Sequence, residues 1–124
     1  MKPIVTLTFN PAIDGASETD VVRPTRKIRT RNERYYPGGG GINVARVIAE
    51  LGRPAAPIYL AGGATGAVLD ELVASLGLRP ERIAIRDHTR VSHAVYERST
   101  GLEYRFVPEG PLVRNDEWPG VLAA

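Results

Sequence analysis

Apolar positions along this chain fall into runs of two kinds, and each kind predicts a different element. Residues 4–9 form an unbroken, uncharged, β-prone run and residues 56–61 form another. Such runs predict strands buried on both faces of a parallel sheet. Past residue 41 the spacing becomes helical: Ile42, Ala45 and Ala49 share one face and Val44, Ile48 and Leu51 an adjacent one. Only the narrow polar stripe of Asn43, Arg46 and Glu50 is left, which predicts a mostly buried helix ended by Gly52. Val68, Leu69, Leu72, Val73 and Leu76 mark the inner face of a second helix stopped by Gly77. Strand, glycine-rich turn, helix and a further short strand at residues 82–85 make a βαβ unit, so the sheet is expected to be parallel.

The pattern then turns to alternation. Residues 91–98 and 102–107 flank Ser99-Thr100-Gly101 and read as a β-hairpin, with Leu102, Tyr104 and Phe106 on one face. Between Lys27 and Arg31 basic residues alternate with Ile28 and Thr30, which predicts a third strand. A hairpin is marginal alone, so it is expected to join the basic strand near residues 26–34 in a small second sheet. Asn115 offers an N-cap for a last helix beginning at Asp116, with Pro119 in its first turn.

Candidate chemistry sits at the joins between these elements. Pro37-Gly38-Gly39-Gly40-Gly41-Ile42-Asn43 feeds a glycine run directly into the first helix, with no Ser, Thr, Asp or Asn at the N-cap. The free N–H groups and the helix dipole suit sugar or anion oxygens, with Asn43 adding a donor and an acceptor; the alternative is a flexible loop. Asp14 follows the first strand, beyond whose carboxyl end an open α/β sheet binds ligands, or it forms a turn. Arg23, Arg26, Lys27, Arg29, Arg31 and Arg34 crowd one segment, as phosphate ligands or as a solvated strand edge.

Composition narrows the classes. A net charge of +2 is too small for a dedicated nucleic-acid binder, and the absence of cysteine excludes disulfides and thiolate metal sites. No run is long enough to cross a membrane and residues 1–9 carry no basic n-region, so a soluble, cytoplasmic protein with no membrane or nucleic-acid partner is expected. At 124 residues there is room for one domain, short for an α/β enzyme.

Thr6-Leu7-Thr8, Asn10-Pro11-Ala12-Ile13-Asp14, the decapeptide from Pro37 to Arg46, Ala61-Gly62-Gly63-Ala64-Thr65-Gly66 and Glu103-Tyr104-Arg105-Phe106 occur in this order. Together, over about residues 4–118, they resemble the N-terminal part of the ribokinase-like (PfkB-type) carbohydrate kinases, specifically the minor-type bacterial 6-phosphofructokinases and their hexose-phosphate kinase relatives. The decapeptide is that family's N-terminal signature. The resemblance implies a doubly wound α/β domain, here a partial one filling residues 1–124. A small β-sheet lid, built from segments near 15–36 and 90–108, would be inserted in it and would carry a homodimer contact. Asp14 would bind sugar hydroxyls, as would Asn43 with the backbone of Gly38, Gly39, Gly40 and Gly41. Arg90 and Arg105 would grip the phosphate of a sugar phosphate, and Lys27 would lie near the transferred phosphoryl group.

ATP and Mg2+ are the cofactors the resemblance implies for the complete enzyme. The family's second signature, a Gly-Ala-Gly-Asp turn bearing the general base, does not occur in this sequence. No catalytic residue or metal ligand is therefore assigned to this chain, and the base is expected in a missing C-terminal part. The expected function is the N-terminal portion of an ATP-dependent kinase converting fructose 6-phosphate to fructose 1,6-bisphosphate. Tagatose-6-phosphate and fructose-1-phosphate kinases remain alternatives, as does a non-catalytic sugar-phosphate-binding or dimerisation module.

Overall fold

The two uncharged runs become adjacent strands of one sheet, and the alternating runs past residue 90 become strands of another. The structure, a computed structural model, describes residues 2–124. In chain order its elements are β1 (Ile4–Thr8), β2 (Ala12–Thr19), β3 (Arg31–Gly38), α1 (Gly40–Glu50), β4 (Ala55–Gly62), α2 (Gly63–Ala74), β5 (Glu81–Ile85), β6 (Arg90–Glu97), β7 (Glu103–Phe106) and α3 (Gly120–Ala123). The first sheet has the order β1-β4-β5 and is parallel throughout. The second has the order β3-β2-β6-β7 and is mixed, β2 running parallel to β6 and antiparallel to β3.

The core forms where helices press on β4. Ile42 of α1, Leu69 and Val73 of α2, and Tyr59 and Ala61 of β4 make one buried cluster with Ile13 of β2, so the two sheets share it. Tyr59 reaches the edge of that cluster, where its hydroxyl donates to Asp70 Oδ1 at 2.7 Å. Asp70 is in turn paired with Arg82 Nε at 2.9 Å, tying β4, α2 and β5 together. Burial, reinforced by the Asp70 carboxylate, raises the Tyr59 phenol above its ordinary range. Helix α1 ends as its sequence predicts. Gly52 takes φ 86°, its N–H bonds to Ala49 O, and that of Arg53 bonds to Ile48 O, which is a Schellman closure.

Four expectations need correction. The basic segment around Lys27–Arg31 is not a strand; β3 begins only at Arg31. Arg31 spends its charge on Asp20 at 2.7 Å and Glu18 at 3.4 Å, and no ladder partner is available to residues 27–30. The hairpin of β6 and β7 consequently meets β2, with β3 beyond it. Strand β1 is not buried on both faces, nor is α1 mostly buried: only Ile42 and Ala45 of the helix are fully covered. Asn115 caps nothing. Residues 115–119 are turns, α3 starts at Gly120, and Glu117 Oε1 accepts the Arg114 N–H at 2.9 Å.

Strand β2 was not foreseen. Its alternation is complete, with Ile13, Gly15, Ser17 and Thr19 buried and Asp14, Ala16 and Glu18 half-buried. Three of those four inward positions are Gly, Ser and Thr, which carry no hydrophobic signal.

Glu97 closes the far end of the second sheet and gives it an acid dependence. Thr100 Oγ1–H and the Val22 N–H, the latter at 2.6 Å, both donate to its carboxylate. These bonds hold the Glu97 carboxyl below the ordinary glutamate range. A folded-state pKa below the unfolded one means stabilisation that is full above about pH 4.5 and is lost as pH falls through the folded value. Tyr96 and Tyr104 near-ultraviolet dichroism should therefore weaken in acid, and Glu97→Gln should flatten that acid limb while lowering stability at neutral pH.

Candidate functional site

Where the two sheets meet, the C-terminal end of β1, the start of β2 and the head of α1 converge. Asp14 stands at this meeting point, on the half-buried face of β2. The Ser92 hydroxyl, its ladder partner on β6, donates to Asp14 Oδ1 at 2.6 Å and fixes the carboxylate's orientation. A cavity of about 130 Å³ opens on one side of Asp14, lined also by Tyr36, Ser92 and Arg105. Another of about 440 Å³ opens on the other side, lined by Tyr36, Asn43, Arg46 and Leu76. Asp14 and Tyr36 border both, and the two adjoining cavities, taken together as the cleft, reach Arg105 on β7 and Asn43 on α1.

The glycine run lies between Pro37 and Asn43, which both line this cleft. A Cβ at Gly38 would lie 2.5 Å from Asp14 Cγ, and one at Gly41 would lie 2.7 Å from the Leu7 carbonyl oxygen. Both positions bring backbone against its neighbour more closely than any side chain permits. Gly39 has φ 128° as the N-cap of α1 and makes no side-chain cap bond. Beneath that helix end the Thr8 hydroxyl is buried with no protein partner, so the head of α1 presents free donors next to an unpaired polar atom.

Of the residues singled out from sequence, Asp14, Asn43 and Arg105 line the cleft, whereas Gly38 to Gly41 do not line it and lie between its Pro37 and Asn43. The Arg105 side chain is 73% exposed, its Nε 3.6 Å from Glu103, and so it is free to swing onto an anion. Arg90 is engaged differently. Its guanidinium donates to Asn10 O at 3.0 Å and Pro108 O at 3.1 Å, while its buried Nε has no partner. It clamps the β1–β2 turn to the irregular segment following β7, and its Nε–H is left unpaired. Lys27 lies exposed in the 20–30 connection. Its neighbours Ile28 and Thr30 line a separate apolar cavity of about 170 Å³ with Tyr104 and Phe106.

Ser92, Tyr36 and Arg46 were not singled out as site residues. Arg46 was legible as part of the polar stripe of α1, and a lone Ser or Tyr in a strand gives no sign of its role. Among the described residues no group of three or more His, Cys, Asp or Glu side chains is placed to hold a metal ion. No helix among them is long and apolar enough to cross a membrane.

Comparison with known proteins agrees with the fold. The family model for pfkB family carbohydrate kinases matches residues 7–121. The chain belongs to that family. Among curated pfkB relatives, ATP-dependent 6-phosphofructokinase isozyme 2 of Mycobacterium tuberculosis is 49% identical over 111 residues, 89% of this chain and 33% of that protein. The Escherichia coli protein of the same name is 42% identical, over 95% of this chain and 38% of that one. The crystal structure of phosphofructokinase-2 from Escherichia coli in complex with fructose-6-phosphate superposes with TM-score 0.89 at 40% identity. It does so over 98% of this chain and 40% of that chain. The chain thus spans about a third of the length of the curated pfkB relatives it matches.

Proposed function

We propose that this chain is the sugar-phosphate half of an ATP-dependent 6-phosphofructokinase. The reading rests on one observation above others: Asp14, held by Ser92, stands midway along a cleft with Asn43 at one end and Arg105 at the other. A carboxylate accepts hydrogen bonds from sugar hydroxyls, Asn43 both gives and accepts, and a guanidinium grips phosphate through two parallel bonds. The unpaired donors at the head of α1 would complete the hold on the sugar ring. The names of the relatives supply the choice of fructose 6-phosphate.

ATP and Mg2+ would be the other reactants' side of the reaction, and the residues described here do not fit them. The cleft offers one carboxylate, already bonded to Ser92, and no set of metal ligands. What this chain does is therefore bind and orient: it seats the sugar, anchors its phosphate, and leaves phosphoryl transfer to groups it does not contain. Lys27 would support the moving phosphoryl only if the 20–30 connection folded toward the cleft. An ATP-dependent step on hexose phosphates implies a cytoplasmic setting. Self-association of two copies through the second sheet is part of the same reading. Val22, Ile28, Val95, Tyr104 and Phe106 leave an apolar hollow there, and Phe106 is 63% exposed.

The test is titration of the chain with fructose 6-phosphate and with fructose, followed by NMR chemical shifts. Arg105→Ala should weaken fructose 6-phosphate by about 1.5–3 kcal/mol, the scale of a charged hydrogen bond, and leave fructose unchanged. Arg90→Ala should weaken it too but also loosen the fold, since two backbone carbonyls lose their donor. Equal affinity for sugar and sugar phosphate would sink the reading.

A further inference from the structure

The register of the second sheet sets four residues in one row across it: Arg34 of β3 opposite Ala16 of β2, Ala16 opposite Ala94 of β6, and Ala94 opposite Arg105 of β7. Paired residues share a face, and the neighbouring row of Tyr36, Asp14 and Ser92 identifies that face as the one on the cleft. Tyr35 lies on the opposite face, where a Cβ at Gly15 would meet both its ring and that of His93. Ala16, Ala94 and Arg105 line the cavity of about 130 Å³. The row therefore carries an arginine at each end and only methyl groups between, and at ordinary strand spacing its ends are roughly 14 Å apart. Arg34 is exposed, on an edge strand, and takes part in none of the ion pairs among the described residues. A bulge separates it from the paired arginine beside it. The register of β2 with β3 slips between Ala16 and Glu18, Asn32 takes φ 56°, and Arg31 is delivered to Glu18 and Asp20.

We propose that Arg34 is the second arm of a phosphate clamp: with Arg105 it closes over Ala16 and Ala94 on the phosphate of the sugar phosphate whose sugar is seated at Asp14. The proposal rests on the sugar-phosphate reading and adds a residue to it that determines specificity. Two guanidiniums on one face repel each other across bare alanines, and an anion between them turns that repulsion into two attractions. Phosphate has enough oxygens to take a bidentate fork from each side. Arg90, on the same face, has both terminal nitrogens on Asn10 O and Pro108 O, so the free guanidiniums of this face are those at the two ends of the row. The alanines matter as much as the arginines, because any longer side chain at 16 or 94 would fill the space the phosphate needs.

The experiment titrates the chain and its variants with fructose 6-phosphate, fructose and inorganic phosphate, read from NMR chemical shifts. Arg34→Ala should weaken fructose 6-phosphate by about tenfold, leave fructose unchanged and leave the urea midpoint where it was. Arg34→Lys keeps the charge without the fork and should recover only part of that loss. Arg29→Ala, which removes an exposed cation outside the row, should change nothing. In an Arg105→Ala background the cost of Arg34→Ala should shrink to about twofold, since one arm alone no longer seats the phosphate. Full affinity in Arg34→Ala, equal losses for sugar and sugar phosphate, full rescue by lysine, or losses that simply multiply would each overturn the clamp. A wild-type chain that binds fructose as tightly as fructose 6-phosphate would overturn the underlying reading instead, and inorganic phosphate then decides the clamp. It should shift the amides of Ala16 and Ala94 in the wild type and not in Arg34→Ala, and shifts indifferent to Arg34 would overturn it.

Discussion

Supplied with ATP, magnesium and fructose 6-phosphate, the purified 124-residue chain should release no ADP above a heat-killed control. Phosphoryl transfer needs a positioned base, neutralisation of charge at the γ-phosphate and a bound metal nucleotide. The only carboxylate on the cleft is Asp14, and the Ser92 hydroxyl holds one of its oxygens at 2.6 Å. A carboxylate that accepts such a bond is fixed in orientation and suited to positioning a hydroxyl. General-base catalysis alone is worth about 10²–10⁴-fold, and the missing metal and nucleotide contacts add to that loss. Turnover in the chain alone, with host kinase excluded by a mock purification, would mean that Asp14 does more than orient.

The glycine run should separate fold from binding when it is probed one residue at a time. Gly41→Ala sets a methyl 2.7 Å from the Leu7 carbonyl oxygen and 2.9 Å from its carbon, both backbone atoms of β1. Relief requires moving α1 off the sheet, so destabilisation should reach about 3 kcal/mol or more, read from the urea midpoint. Gly38→Ala meets only the Asp14 side chain, with Cγ 2.5 Å away. That carboxylate can turn aside, so the fold should survive while fructose 6-phosphate affinity falls by about tenfold or more as Ser92 and the sugar lose their partner. An added Cβ at Gly40 meets no protein atom within 4 Å, and Gly40→Ala serves as the control for stability. If Gly38→Ala and Gly41→Ala unfolded the chain equally, the division would be wrong.

Much of this arrangement was legible before any coordinates, and the gaps have physical causes. Helices α1 and α2 and strands β4 and β5 declared themselves through apolar spacing, because each buries aliphatic side chains, and the half-buried hairpin did so through its alternation around a glycine-bearing turn. β2 stayed hidden because Gly15, Ser17 and Thr19 fill its inward face. The basic alternation at Lys27–Arg31 was misleading: strands need ladder partners as well as a period of two, and none faces residues 27–30. Asp14, Asn43 and Arg105 were found through a family pattern, whereas Ser92 and Tyr36 belong to the site only by strand register, Asp14↔Ser92 and Asp14↔Tyr36. Burial of β1 was expected from its composition, whereas β1 pairs with β4 alone and leaves Ile4, Val5 and Leu7 exposed.

The parallel pairing of β2 with β6 also sets an order of events in time. Asp14 and Ser92 are 78 residues apart, and α1, β4, α2 and β5 lie between them. A ladder that spans such a distance closes late, since the loop entropy is spent before any contact repays it. On the ribosome β2 and β3 emerge early as a bare hairpin, and their open side must wait until residue 97 has cleared the exit tunnel. The half of the cleft containing Arg105 is thus the last to exist, and during that interval β2 is the segment most open to mispairing between nascent chains.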